Sequence, residues 1–156
     1  MSGFSKVFIK STEQQGTEFW VIDLPGGSQK PGAEIILYLL KNGVNQFWEL
    51  RDTGEQSNGV HYYNIISNAS GQALTVTATP GAGVGARVFQ AGLGNFDTQK
   101  WAIGPGLANT FIVNKFNGLV LDIQGGNLSL GTPIITFTRN SSTNDGNQRW
   151  DVFEVS

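Results

Sequence analysis

Cysteine is absent from the 156 residues. That excludes a disulfide scaffold, a thiol nucleophile, Cys-ligated zinc and an iron–sulfur cluster in one step. Histidine occurs once, as His61 in a polar stretch, with no second histidine to complete a metal site and no Gly-x-Ser-x-Gly elbow beside it. No metal and no other cofactor is expected. Charge is also sparse: 14% of the residues are charged, against about 25% in an ordinary soluble domain. With 10 Lys and Arg against 12 Asp and Glu, the chain has no basic footprint for nucleic acid or for an anionic lipid surface. Long hydrophobic runs are missing too. The longest, Ile35 to Leu40, falls far short of the roughly 18 residues needed to cross a membrane. The opening MSGFSKVFIKSTEQQ lacks the apolar stretch of a secretory signal, so the expectation is a cytoplasmic chain without membrane insertion.

Glycine is what the chain has in excess, with 21 copies, about twice its usual frequency. Its apolar runs are four to seven residues long, β-branched or aromatic, and broken by Gly, Pro, Asn and Ser. Such runs read as short strands joined by turns, and no segment carries a helical period. The length fits one domain spanning 1–156.

Three internal repeats are visible. NQFW (Asn45 to Trp48), TQKW (Thr98 to Trp101) and NQRW (Asn147 to Trp150) share a Gln-x-Trp core, with the tryptophans 53 and then 49 residues apart. Upstream of each lies a second echo, VIDL, ALTV and VLDI, whose third positions are Asp23, Thr75 and Asp122. The units run about 5–51, 62–103 and 109–154, separated by the polar or Gly-Pro-rich joints RDTGEQSNGVH and GPGLAN, which read as exposed connections. Three units are too few for a propeller of about four to eight blades, and an open sheet would leave bare edges. A small barrel closed with threefold pseudosymmetry remains, with Trp48, Trp101 and Trp150 in its core.

These three Gln-x-Trp copies, each following a Leu-Asp-Val-like strand and a Gly-rich turn, resemble the ricin B-type β-trefoil lectins over nearly the whole chain. The lack of disulfides is similar to cytosolic fungal or bacterial branches of that family. The resemblance implies an all-β β-trefoil of three pseudo-symmetric four-stranded repeats. It implies a carbohydrate-binding protein, non-enzymatic, for galactose- or N-acetylgalactosamine-type sugars, with up to one shallow site per repeat. A homodimer is left open.

Strand alternation turns Asp23 and Asp122 away from the core side occupied by Ile22, Leu24, Leu121 and Ile123. An outward carboxylate can accept bonds from two adjacent sugar hydroxyls. The competing reading is a turn-stabilising carboxylate bonded to nearby backbone N–H groups. Tyr38 and Phe137, each fifteen residues after its aspartate, match the family's stacking aromatic, and Asn45 and Asn147 match its polar amide. Gln46 and Gln148 beside them are expected to brace the two pockets. The second repeat has Thr75 for the acid, Ala91 for the aromatic and Thr98 for the amide, so two sites are expected, not three. The run NSSTNDGN, 140–147, makes a loop at the mouth of the third-repeat site, three residues longer than its counterpart in the first. The rival readings are a β-trefoil protease inhibitor acting through its loops and a glycoside hydrolase. The latter needs two carboxylates about 5–9.5 Å apart.

Overall fold

Short β-branched segments bounded by turn residues form strands wherever a partner strand can take their hydrogen bonds, and this chain supplies twelve. In the computed structural model, which describes residues 3–141 and 144–155, they fall into three groups of four. The first group is β1 (Phe4–Ser11), β2 (Trp20–Asp23), β3 (Ile36–Leu39) and β4 (Trp48–Ser57). The second is β5 (Val60–Ser67), β6 (Ala73–Thr75), β7 (Phe89–Ala91) and β8 (Trp101–Ile103). The third is β9 (Ile112–Asn114), β10 (Val120–Ile123), β11 (Ile134–Phe137) and β12 (Trp150–Glu154).

The outer strands of each group form a ring. β12 pairs with β1, β1 with β4, β4 with β5, β5 with β8 and β8 with β9, and a bridge between Thr110 and Trp150 closes the circle. Closure removes the bare edges that three open units would leave. The inner pairs, β2–β3, β6–β7 and β10–β11, are hairpins that cap the barrel. Around the pseudo-threefold axis, three backbone bonds link the hairpins in a cycle. Ile35 N–H donates to Val88 O at 3.0 Å, Val88 N–H to Ile134 O at 3.1 Å, and Ile134 N–H back to Ile35 O at 3.2 Å. This is the β-trefoil arrangement that the repeats imply.

Trp48, Trp101 and Trp150 are fully buried in one core cluster with Ile22, Leu24, Leu74, Leu121 and Ile123. Each indole N–H donates to a backbone carbonyl of its own repeat, Ile22, Leu74 or Leu121, at 3.1–3.4 Å. An indole takes about 150–250 Å² out of water, which at about 25 cal/mol per Å² stabilises the fold by up to roughly 4–6 kcal/mol each. Trp20, which has no aromatic counterpart in the other repeats, is also buried in this cluster.

The first joint, expected as an exposed connection, is exposed and is also a hairpin. RDTGEQSNGVH forms the end of β4 and the start of β5, paired from Arg51↔Asn64 out to Ser57↔Val60. Asn58 and Gly59, with φ of 51° and 79°, make the two-residue turn, since a turn with both central residues at positive φ matches the twist of the flanking strands. An Asn-Gly pair between two polar strands is a hairpin signal that the reading by polarity alone passes over.

Candidate functional site

Asp23 is the last residue of β2 and Asp122 the last but one of β10, and a tight turn follows each strand. In the first repeat the turn is Pro25–Gly27 and in the third Gln124–Gly126, and in both the last two residues are glycines at φ of 62–65°. That left-handed backbone is costly for any residue with a Cβ. The second glycine of each pair packs beside the site amide: a Cβ on Gly27 would lie 3.8 Å from that of Asn45, and one on Gly126 3.7 Å from that of Asn147. A second short turn, Val44–Gln46 or Gly146–Gln148, brings this amide and its neighbouring glutamine over the aspartate.

The outward placement of the acids needs correction. The alternation holds, since Trp20, Ile22, Leu24, Leu121 and Ile123 join the core cluster while Val21 and Val120, on the aspartates' face, do not, but both aspartates are buried, each with only 4% of its surface exposed. The cause is the overlying turn. Gln46 donates to Asp23 Oδ2 at 2.9 Å and Asn45 to Oδ1 at 3.2 Å. Gln148 donates to Asp122 Oδ2 at 2.8 Å and Asn147 to Oδ1 at 3.2 Å. These are side-chain amides, not the nearby backbone N–H groups of the competing turn reading. A carboxylate has about four acceptor positions, so among the described residues roughly two on each acid are unused. Burial pushes both carboxyls above their ordinary pKa, and the glutamine and asparagine bonds pull them part of the way back.

The glutamines are fully committed. Besides the acid, Gln46 donates to Leu39 O and accepts from Lys41 N–H, both at 2.7 Å. Gln148 does the same with Thr138 O at 2.9 Å and Asn140 N–H at 2.7 Å. Bracing is therefore the part the geometry leaves them. Asn45 and Asn147 are half-buried, and among the described residues neither Oδ1 accepts a hydrogen bond. Each can take a hydroxyl proton.

The aromatics stand where the register requires. Asp23 pairs with Ile36 and Asp122 with Ile135. Tyr38 and Phe137 are two residues further along on the same face, a diagonal separation of about 7–8 Å between backbones. Tyr38 is half-buried, whereas Phe137 is 43% exposed. In the third repeat Asp122, Phe137, Asn147 and Gln148 line one cavity of about 380 Å³, together with Thr138, Arg139, Asn140 and Ser141. Of the expected loop over 140–147, residues 142 and 143 lie outside the described residues.

In the second repeat the same register sets Thr75 opposite Phe89, which places Ala91 at the position of Tyr38 and Phe137. Thr98 takes the place of the amide, its carbonyl accepting from Val76 N–H as that of Asn45 accepts from Leu24 N–H. Gln99 keeps the clamp, donating to Thr75 Oγ1 at 3.2 Å and Gly92 O at 2.9 Å. Arg87 pairs with Glu34, and Gln90, fully buried, donates to Ser28 O and Lys30 O. Neither side chain is available to rebuild a site. The glycine pair is missing as well, because Thr75 is followed by VTAT where Asp23 is followed by LPGG and Asp122 by IQGG. This Asp-x-x-Gly-Gly pattern, confined to two of three repeats, is a site signal that the reading by acid, aromatic and amide overlooks.

Other candidate chemistry is thin. His61 bonds Asp52 across the hairpin at 3.2 Å. Among the described residues no group of three or more His, Asp and Glu could hold a metal ion.

Residues 44–137 match the family described as ricin-type beta-trefoil lectin domain-like. ThreeFoil, a designed threefold-symmetric protein, superposes with a TM-score of 0.80 at 26% identity over 96% of this chain and 99% of its own. The ricin B-like lectin of Macrolepiota procera, solved in complex with lactose, gives 0.75 at 23% identity over 99% of each chain. The C-half of the earthworm R-type lectin, solved in complex with GalNAc, gives 0.67 at 22% identity over 97% of this chain and 99% of its own. No curated protein matches the sequence.

Proposed function

We propose, from the premise that this chain belongs to the ricin-type beta-trefoil lectin domain-like family, that it binds terminal galactose- or N-acetylgalactosamine-type residues through two shallow sites. One is built on Asp23, Tyr38 and Asn45, the other on Asp122, Phe137 and Asn147, with Gln46 and Gln148 holding the acids in place. The second repeat is silent. The observation that carries this reading is the third-repeat cavity, where an acid with two acceptor positions to spare, a half-exposed phenyl ring and a free amide oxygen face one space of about 380 Å³. Those groups suit a hydroxyl pair on one edge of a sugar and an apolar C–H face on the other. The lactose and GalNAc bound by the Macrolepiota and earthworm lectins support the galactose type.

The protein acts as a binder and not as a hydrolase. The cavity has a single carboxylate, Asp122, and Asp145 in the adjoining one is paired with Arg149 at 3.2 Å. A hydrolase needs two carboxylates flanking one glycosidic bond. Calorimetric titration with lactose tests the proposal: two sites per chain in the wild type, one in Asp23→Asn or in Asp122→Asn, and none in the double variant. Lactose binding that survives in the double variant would refute the assignment of the sites.

A further inference from the structure

Against the third-repeat cavity lies a second one, of about 550 Å³, and the two share a wall of Arg139, Asn140 and Ser141. Its remaining lining is Asn109, Phe111, Asp145 and Arg149. Arg139 and Arg149 both pack over the Phe111 ring, their guanidinium carbons 4.0 and 4.1 Å from its centre. They differ in how their charge is met. Arg149 donates to Asp145 at 3.2 Å and to Asn109 O at 3.0 Å. Arg139 is exposed, and among the described residues its guanidinium has the ring contact but no ion pair and no hydrogen bond.

A guanidinium packed over an aromatic ring loses less freedom on binding than a fully solvated one and offers a planar fork of donors that fits a carboxylate or a sulfate. Arg139 is also particular to this repeat. Thr138 O and Asn140 N–H bond Gln148 as Leu39 O and Lys41 N–H bond Gln46, so the residue at the Arg139 position in the first repeat is Leu40. Asp122, on the other side of the shared wall, repels an anion, so a negative group on the ligand is directed away from it and toward Arg139.

We propose that the third-repeat site extends into an anion subsite, in which Arg139, stacked on Phe111, binds a carboxylate or sulfate carried by a galactose-type residue or by the sugar linked to it. The inference rests on the sugar-binding reading above and names the glycan class for one of its two sites.

The test is titration of the Asp23→Asn protein, in which only the third-repeat site reports. The ligands are lactose, a sulfated lactose, and 3′- and 6′-sialyllactose, at low and at physiological salt. At least one anionic ligand should bind about three- to fivefold more tightly than lactose, the range of a well-placed exposed ion pair. The gain should shrink as salt rises. Arg139→Leu should abolish the gain, so that the anionic ligands bind no more tightly than lactose does to the same variant, and Arg139→Gln should do the same if the leucine variant fails to fold. The sulfated and sialylated ligands distinguish the two sources of negative charge. Lactose binding without any anionic gain, or a gain that survives both variants, would overturn the subsite and leave the sugar sites standing. Failure of the Asp23→Asn protein itself to bind any of the ligands, lactose included, would overturn the third-repeat sugar site and the subsite with it.

Discussion

Gln148 donates to Asp122 Oδ2 at 2.8 Å and, from the same nitrogen, to the backbone oxygen of Thr138 at 2.9 Å. One amide thus ties this aspartate to the end of β11. Gln46 makes the equivalent pair of bonds in the first repeat, and Gln99 makes it in the second, where there is no acid to hold. A role shared by all three repeats belongs to the fold.

Gln99→Ala should therefore destabilise the protein even though its repeat lacks the acid, the aromatic and the amide. The change removes a buried amide and leaves Gly94 N–H and Gly92 O without their partners, a loss of about 1–3 kcal/mol. Urea denaturation should show it, with sugar affinity unaltered. An unchanged midpoint would make the clamp incidental.

The aspartates should behave in the opposite way. Asp23→Asn and Asp122→Asn each put an amide where a glutamine donor points, which loses about one hydrogen bond. The neutral amide also escapes the desolvation cost that the buried carboxylate bears. The melting temperature should move by only a few degrees while one lactose site disappears per substitution. A variant that unfolds would show the carboxylate to be structural.

The raised pKa of Asp23 and Asp122 sets the sign of two pH effects. Each acid keeps its proton to a higher pH in the folded protein than in the unfolded chain. Between the ordinary value of 3.8 and the raised one, the folded state therefore binds more protons. The stabilisation from these protonated groups is complete below 3.8 and is lost as pH rises through the folded value. The double Asp→Asn variant should flatten that part of the stability curve. Sugar binding, which uses the ionised form, should weaken as pH falls through the same raised value. Affinity that is flat down to the ordinary aspartate range would contradict the role of the carboxylates.

The second repeat should resist simple repair. Thr75→Asp, Ala91→Tyr and Thr98→Asn together restore the acid, the aromatic and the amide, but the chain after residue 75 lacks the two glycines at positive φ. Without that turn the amide has no close-packed neighbour to hold it over the acid. Titration of the triple variant with lactose should still count two sites. A third site would show the glycine pair to be dispensable.

Much of this was legible in the chain itself. The three Gln-x-Trp segments, the strand alternation around Asp23 and Asp122 and the fifteen-residue offset to Tyr38 and Phe137 are local patterns, and local patterns follow from backbone period and turn chemistry. The burial of the two aspartates was not legible, because it comes from a turn some twenty residues further on that folds back over the strand. The same holds for Arg139 on Phe111, which are 28 residues apart in sequence and meet only because β9 and β11 both pair with β10, Val113 and Phe137 lying on either side of Val120. The sequence by itself determined the repeat, the strands and which residue types stand at each site. Tertiary structure alone decided how far each acid is removed from water and what holds it. Those properties depend on neighbours distant in the chain, which closure of the barrel brings together.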